Sequence, residues 1–252
     1  MTGPFDGVAR VVFAHAHPDD ETLATGALIQ LLTGSGVEVA VVTATRGERG
    51  GVVPGPLSHL AGTPALDVHR VAELTAALGA LGAEGPFFLG EPPARASGLA
   101  PRRYRDSGMR WVTPTLAGPG EDAVPDAFTS ASVAEAAADL AAFVASWGAE
   151  LLVGYDIDGG YGHPDHVHAH HVAVAAARLA GVDFAEVVSI PRDDSSPEAD
   201  GATWYDRSDR LPELLPALHA HASQFTVDGR EVVHSGGQRE PLQLRTGVRL
   251  AT

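Results

Sequence analysis

Two short segments of this chain concentrate the groups that bind metal ions and move protons. His17-Pro18-Asp19-Asp20-Glu21 follows the apolar run Val11-Val12-Phe13-Ala14, and Tyr161-Gly162-His163-Pro164-Asp165-His166 follows Leu151-Leu152-Val153-Gly154-Tyr155. Imidazole and carboxylate are donors for a borderline dication such as Zn²⁺, and with no cysteine in the chain only nitrogen and oxygen ligands remain. His17 and Asp20 lie three residues apart across a strand-to-helix turn, and His166 falls in the first turn of a later helix. Three donors from two segments can hold one ion and leave positions open for water and substrate. Each segment alone has a plainer reading, with His17 and Asp20 as helix caps and His166 as an exposed helix residue. Their recurrence at two equivalent strand ends favours a shared site.

Such a site needs a frame that brings together residues about 145 positions apart. Residues 8–16 read as a buried strand, 22–32 as a helix stopping near Gly34 and Gly36, and 37–44 as a second strand. Arg46-Gly47-Glu48-Arg49-Gly50-Gly51 opens a long loop. Residues 67–81 place Val71, Leu74, Leu78 and Leu81 at helical spacing, and 86–89 form a third strand. Residues 91–130, rich in proline, glycine and arginine, read as an excursion over the surface, where loops carry substrate contacts. A helix over 131–147, a strand over 150–155, a helix over 164–180 and a strand over 185–190 follow.

This alternation predicts an α/β fold, a Rossmann-like, mainly parallel sheet flanked by helices on both faces. Ligands bind such sheets at the carboxyl ends of the strands, where both segments sit and helix N-termini favour negative charge. After Pro191 the pattern weakens to one helix over 211–222 and extended pieces near Val232 and Leu242. With no repeat or linker, residues 1–252 read as one domain, a motif-bearing core over about 8–190 with a C-terminal extension over about 191–252.

Composition narrows the classes of function. A length of 252 residues, 44% of them apolar, suits one large domain with a full core. The formal charge of −15 disfavours nucleic acid and anionic membranes as partners. Without cysteine there is no disulfide and no thiolate nucleophile, and without lysine no Schiff base. The segment Met1-Thr2-Gly3-Pro4-Phe5-Asp6 lacks the basic start of a signal peptide, and no apolar run approaches a membrane span, so the expectation is a cytoplasmic protein. Whether it assembles with further copies of itself stays open.

The His17 to Glu21 segment and Gly159-Gly160-Tyr161-Gly162-His163-Pro164-Asp165-His166 resemble the zinc-dependent N-acetylglucosaminyl deacetylases of the LmbE/PIG-L family. More narrowly they resemble the deacetylase of mycothiol biosynthesis and its relative, mycothiol S-conjugate amidase. Arg103-Tyr104-Arg105-Asp106-Ser107-Gly108-Met109 resembles the Arg-Asp-Ser-Gly-Met segment of the first. The likeness runs over about residues 8–180 and then becomes patchy, although His219-Ala220-His221-Ala222-Ser223-Gln224 resembles a family segment.

The resemblance implies Zn²⁺, with Fe²⁺ as the alternative, bound by His17, Asp20 and His166. It assigns Asp19 as general base, and His163, oriented by Asp165, as proton donor to the leaving amine. Tyr161 would steady the oxyanion, and Arg70, Asp106, Met109 and Glu48 would contact substrate. The implied reaction is hydrolysis of the acetamide of a small amino sugar, GlcNAc-inositol above all. A mycothiol-conjugate amidase or a secondary-metabolite deacetylase is the alternative. The chemistry agrees for Asp19, since an acid beside the ligands can take a proton from water whose pKa a metal lowers to about 7. Tyr161 as a packing aromatic, Arg70 in a surface ion pair and Asp106 as a turn cap are the plainer readings.

Other assignments fit less well. Two histidines and a carboxylate also describe the facial triad of non-haem iron oxygenases, but those enzymes are generally built on β-rich barrels. A non-catalytic sugar-binding protein has no use for Asp19 or His163. His166 and His170 share a helix face, yet carboxylates to balance a second dication are missing nearby, so His168, His170 and His171 read as supporting or solvated side chains. His15 reads as core. His59, His69 and His234 carry no local signal.

Overall fold

The computed structural model describes residues 3–113, 115–122, 126–189 and 201–251. In chain order the first half holds β1 (Arg10–His15), α1 (Asp20–Leu23), α2 (Gly26–Gly34), β2 (Glu38–Thr43), α3 (Pro64–Leu81), β3 (Glu84–Phe88), β4 (Met109–Trp111) and β5 (Ala117–Pro119). There follow α4 (Val133–Trp147), β6 (Leu151–Tyr155), α5 (Gly159–Gly162), α6 (Pro164–Ala180), β7 (Asp183–Val187), β8 (Thr203–Asp206) and α7 (Leu211–Ala220). The small strands β9 (Phe225–Asp228), β10 (Glu231–His234) and β11 (Arg239–Pro241) precede β12 (Arg245–Leu250).

Seven strands form the main sheet in the order β3-β2-β1-β6-β7-β12-β8. The five from β3 to β7 are parallel, and β12 runs antiparallel to both β7 and β8. Strand alternation divides the apolar residues between two cores. Val12 and Ala14 face α4 and α6, while Val11 and Phe13 face α2, α3 and α7. Helices therefore cover both faces, as the alternation predicted. Alanines on α4 and α6 (Ala136, Ala137, Ala173, Ala176) are nearly or fully buried and let these helices pack closely.

The chain builds outward from β1 to β2 and β3, then returns to the other side of β1 as β6 and β7. Strand order thus reverses between β1 and β6, and the two chemistry-bearing segments leave the carboxyl ends of these two strands.

Several elements differ from the sequence reading. The helix expected over 22–32 is two, because Thr25 leaves helical geometry (φ −131°, ψ −1°) and its hydroxyl donates to the Glu21 carbonyl at 2.8 Å. The excursion over 91–130 contains the hairpin β4-β5, and β3 begins at Glu84. The extended pieces near Val232 and Leu242 fall in or beside the sheet β11-β10-β9, whereas β8 and β12 enlarge the main sheet. Strand β12 escaped notice because its buried Thr246 and Gly247 are not apolar and arginines stand at positions 245 and 249. Ile190 and the start of the extension, 191–200, lie outside the described residues. Among the described residues no helix is long and apolar enough to cross a membrane.

Candidate metal centre and active site

The turn after β1 begins with His17, whose backbone N–H donates to Asp20 Oδ2 at 2.8 Å. That contact folds Asp20 back over the strand end. Pro164 opens α6, and His163 caps it by accepting the Asp165 backbone N–H at its Nδ1, 3.1 Å away. His166 then lies in the first turn, buried and aimed at the β1 side.

Four donor atoms of three residues meet there. His17 Nδ1 stands 3.3 Å from Asp20 Oδ2, His166 Nε2 stands 3.3 Å from Asp20 Oδ1, and the two nitrogens are 3.3 Å apart. Their hydrogens can be placed from their other partners. His17 Nε2 faces Asp165 Oδ2 at 3.1 Å and His166 Nδ1 faces the Gly159 carbonyl at 3.2 Å, both acceptors only. With both rings neutral, as metal ligation requires, Nδ1 of His17 and Nε2 of His166 point lone pairs at each other and at the Asp20 carboxylate, and a proton on His17 serves there when no cation does. Donors about 2.1 Å from an ion at the tetrahedral angle stand about 3.4 Å apart, so the residues fit a Zn²⁺-like ion. Two triplets, His17-His163-His166 and His17-Asp106-Asp165, each bring one donor atom per residue within 4.8 Å of one another. They serve less well, because His17 Nε2 and His163 Nδ1 are already committed to hydrogen bonds with Asp165.

Outer contacts hold the triangle. Asp165 is fully buried, and it also accepts from the Ser107 backbone N–H at 2.9 Å and from the Ser107 hydroxyl. Tyr155, at the end of β6, donates to Asp20 Oδ2 at 2.7 Å, accepts from the Ala16 backbone N–H at 2.9 Å, and stacks on His166 with ring centroids 4.3 Å apart. Burial alone would depress the His17 imidazolium, but Asp165 and Asp20 raise its pKa well above the ordinary value. Against the opposite pull of burial, His166 and His17 hold Asp20 well below the usual carboxylate range. Burial raises the Tyr155 phenol well above its ordinary value, so it stays a donor.

Asp19 is the only non-glycine among the described residues with positive φ, at 110°. Such a conformation costs on the order of 1–3 kcal/mol and persists only where surroundings impose it. Its carbonyl accepts the first N–H groups of α1, from Thr22 at 3.0 Å and Leu23 at 2.8 Å, while its carboxylate does not cap that helix. Burial, then the charge of Asp20, pushes the Asp19 carboxyl up to about 7. His163 is pushed down to about 2 by burial and by His17 and His166, so it is neutral, with its hydrogen on Nε2.

The expected orientation of His163 by the Asp165 side chain is not what the structure has. That carboxylate serves His17 and Ser107, and His163 is held by the Asp165 backbone N–H instead. The Tyr161 ring lies 5.3 Å from His166, 6.0 Å from His163 and 5.6 Å from Trp111. Asp106 is buried with Oδ1 3.8 Å from His17 Nε2, and it accepts the backbone N–H groups of Arg49 (3.0 Å) and Gly108 (2.7 Å). Glu48 accepts from the Asp106 backbone N–H at 3.0 Å and from Arg103 at 2.8 Å. Arg70 is buried, and among the described residues it forms no ion pair. Its guanidinium donates to the carbonyls of Gly47 and, at 2.9 Å, Gly51, while its Nε has no partner among the described residues. Gly47 and Gly50 leave the room it needs, since a Cβ at either would collide with that guanidinium. Met109 is half-buried at the start of β4. His15 packs between Phe13 and Tyr155 as core, and His170 donates to the Tyr155 carbonyl at 2.9 Å. Sequence reasoning missed Ser107 and Tyr155. The first lies inside a segment singled out as a motif, and the second ends a strand at the switch point.

Residues 12–177 match the PIG-L family, described as GlcNAc-PI de-N-acetylase. The chain belongs to this family. Among PIG-L relatives it is 34% identical to the 1D-myo-inositol 2-acetamido-2-deoxy-alpha-D-glucopyranoside deacetylase of Kineococcus radiotolerans, over 88% of this chain and 71% of that one. The protein of that name from Mycobacterium sp. strain KMS is 38% identical, over 87% and 75%. The fold is that of N,N'-diacetylchitobiose deacetylase from Pyrococcus horikoshii, with a TM-score of 0.60 at 20% identity over 88% of this chain and 73% of the other. It is likewise that of teicoplanin deacetylase in its zinc-inhibited form, with a TM-score of 0.59 at 18% identity over 96% and 98%.

Proposed function

We propose that this PIG-L protein is a metal-dependent N-deacetylase that hydrolyses the acetamide of a GlcNAc-inositol, the reaction named for its relatives at 34% and 38% identity. The observation that carries the chemistry is the convergence of His17 Nδ1, His166 Nε2 and the two Asp20 carboxylate oxygens at 3.3 Å spacings, with the acid Asp19 next in the chain. His17, Asp20 and His166 hold the dication, taken as Zn²⁺ with Fe²⁺ as the alternative. When bound, it would lower the pKa of its water to about 7 and polarise the acetamide carbonyl.

Asp19 takes the proton from the attacking water, as its position beside Asp20 and its raised pKa suit. His163 enters as neutral imidazole and presents Nε2–H to the oxygen that gains charge. It passes a proton to the departing amine only after negative charge on the substrate has raised its basicity enough for it to take one up, and the balance closes with the proton that Asp19 removed from the water. Tyr161 borders the same space. Asp106 and Glu48 tie the loops after β2 and before β4 together, and Arg70 fixes the first of them, so sugar hydroxyls meet a rigid polar wall of which Met109 forms the apolar part. Residues 1–252 are read as one domain, which the joining of β8 and β12 to the main sheet supports.

The test is to incubate metal-loaded protein with GlcNAc-inositol, free GlcNAc and a mycothiol conjugate and to measure released amine. Release from GlcNAc-inositol at the highest kcat/KM is expected. Release from the conjugate alone would move the assignment to an amidase.

A further inference from the structure

We infer that His221, acting through Glu21, is a positioning residue for Asp19. This rests on the reading of Asp19 as general base. His221 ends α7, 200 residues from Glu21 in the chain and outside the stretch that matches the family. Both side chains are fully buried, with His221 Nε2 2.7 Å from Glu21 Oε1. The same carboxylate uses its other oxygen, Oε2, to accept the Asp19 backbone N–H at 2.9 Å. One buried carboxylate thus joins a helix end from the far side of the fold to the peptide of the proposed base.

The backbone of Asp19 shows what the link does. At φ 110° it sits where a side chain is disfavoured, so something must hold it. Its carbonyl is fixed by the start of α1, and Glu21 Oε2 fixes its N–H. Glu21 can serve only if it is itself held, and a fully buried carboxylate stays in place only where donors satisfy its oxygens. Thr22 Oγ1 gives one donor at 2.5 Å and His221 gives the other. The His221 ring is in turn steadied by the Gln224 amide, 3.0 Å from Nδ1. Ser223 anchors the segment by donating its N–H and hydroxyl to Glu73 of α3, each at 2.7 Å. Without His221 the Glu21 carboxylate would turn toward its remaining donor and release the Asp19 peptide. The base would then be misplaced while the ligand atoms of His17 and His166 stay put.

The test compares His221→Ala, His221→Asn and His221→Gln, alone and in an Asp19→Asn background, all loaded with Zn²⁺ and assayed on GlcNAc-inositol. Alanine, and asparagine, whose amide is too short to reach Glu21, should lower kcat per metal-loaded site on the order of 10- to 100-fold, as misplacement of a reacting group does. KM and zinc occupancy should hold. Glutamine, whose terminal amide replaces the Nε2 donor, should recover most of the loss. Because His221 acts through Asp19, adding His221→Asn to Asp19→Asn should cost nothing further. Should His221→Ala not fold, the asparagine and glutamine pair decides. Unchanged kcat in His221→Asn, a loss that multiplies with that of Asp19→Asn, or a loss tracked by zinc occupancy would overturn the inference. Wild-type kcat in Asp19→Asn alone would instead overturn the assignment of the base.

Discussion

Asp165 and His17 meet at 3.1 Å across two segments 148 residues apart, the carboxylate on Nε2 and the opposite ring nitrogen free to bind a metal. Such a partner fixes the tautomer and the ring plane of a ligating histidine and raises its basicity, and losing it typically costs about 10- to 100-fold in metal affinity. Asp165→Asn should weaken zinc binding by that factor in competition with a chromogenic chelator. Unaltered affinity would mean that His17 is oriented by something else.

Asp19 gives a pH signature in the metal-free protein. Its folded pKa of about 7 lies above the ordinary value of about 3.9. Between these values the folded chain keeps a proton that the unfolded chain has lost, so this group's contribution to stability falls as pH rises from about 4 to about 7 and is level beyond. Asp19→Asn removes that slope. The Tm of the variant minus that of wild type should increase across the window, and a difference independent of pH would reject the raised pKa. If Asp19 is the base in the proposed reaction, its ionised form is the active one with metal loaded, so kcat/KM of wild type should rise with pH on its acid limb and the asparagine variant should lose about 10²- to 10⁴-fold.

Tyr155 serves the centre and the core together. Tyr155→Phe removes a donor from Asp20 and leaves the buried Ala16 N–H without its acceptor, a loss of about 1–3 kcal/mol in the metal-free protein. Urea denaturation should show it, with weaker zinc binding alongside. Wild-type stability would imply that water replaces the hydroxyl.

Arg70 ties two carbonyls of one loop with a forked donor, a geometry lysine does not reproduce. Arg70→Lys should reduce kcat/KM for GlcNAc-inositol about 10-fold or more with zinc affinity retained, since a lost buried hydrogen bond is worth about 1–3 kcal/mol. Equal kinetics would remove the loop from substrate recognition.

That His17, Asp20 and His166 would meet could be read from the sequence because metal donors are few in kind and their position after apolar strands is a local pattern. The parallel sheet and its two helical faces were legible for the same reason. What sequence left hidden depends on direction rather than type. The Asp165 side chain turns to His17 and Ser107 while its backbone N–H serves His163, a division that residue type does not reveal. Tyr155 reads as core until β6 is known to end at the site, and Glu21 reads as a first-turn acid until α7 brings His221 against it. Strand β12 was missed because four of its six residues are polar or glycine, and pairing with two neighbours rather than hydrophobic alternation holds it in place.

That same strand sets the order in which the protein can be completed. Ribosomes release β1 to β7 long before residues 245–250, and until β12 arrives β7 offers a bare edge to any other extended chain. Sealing this edge comes last, by a segment that must slide in between β7 and β8. Nascent chains cut short of Arg245 should therefore pellet or bind chaperones even with every donor of the metal centre already synthesised.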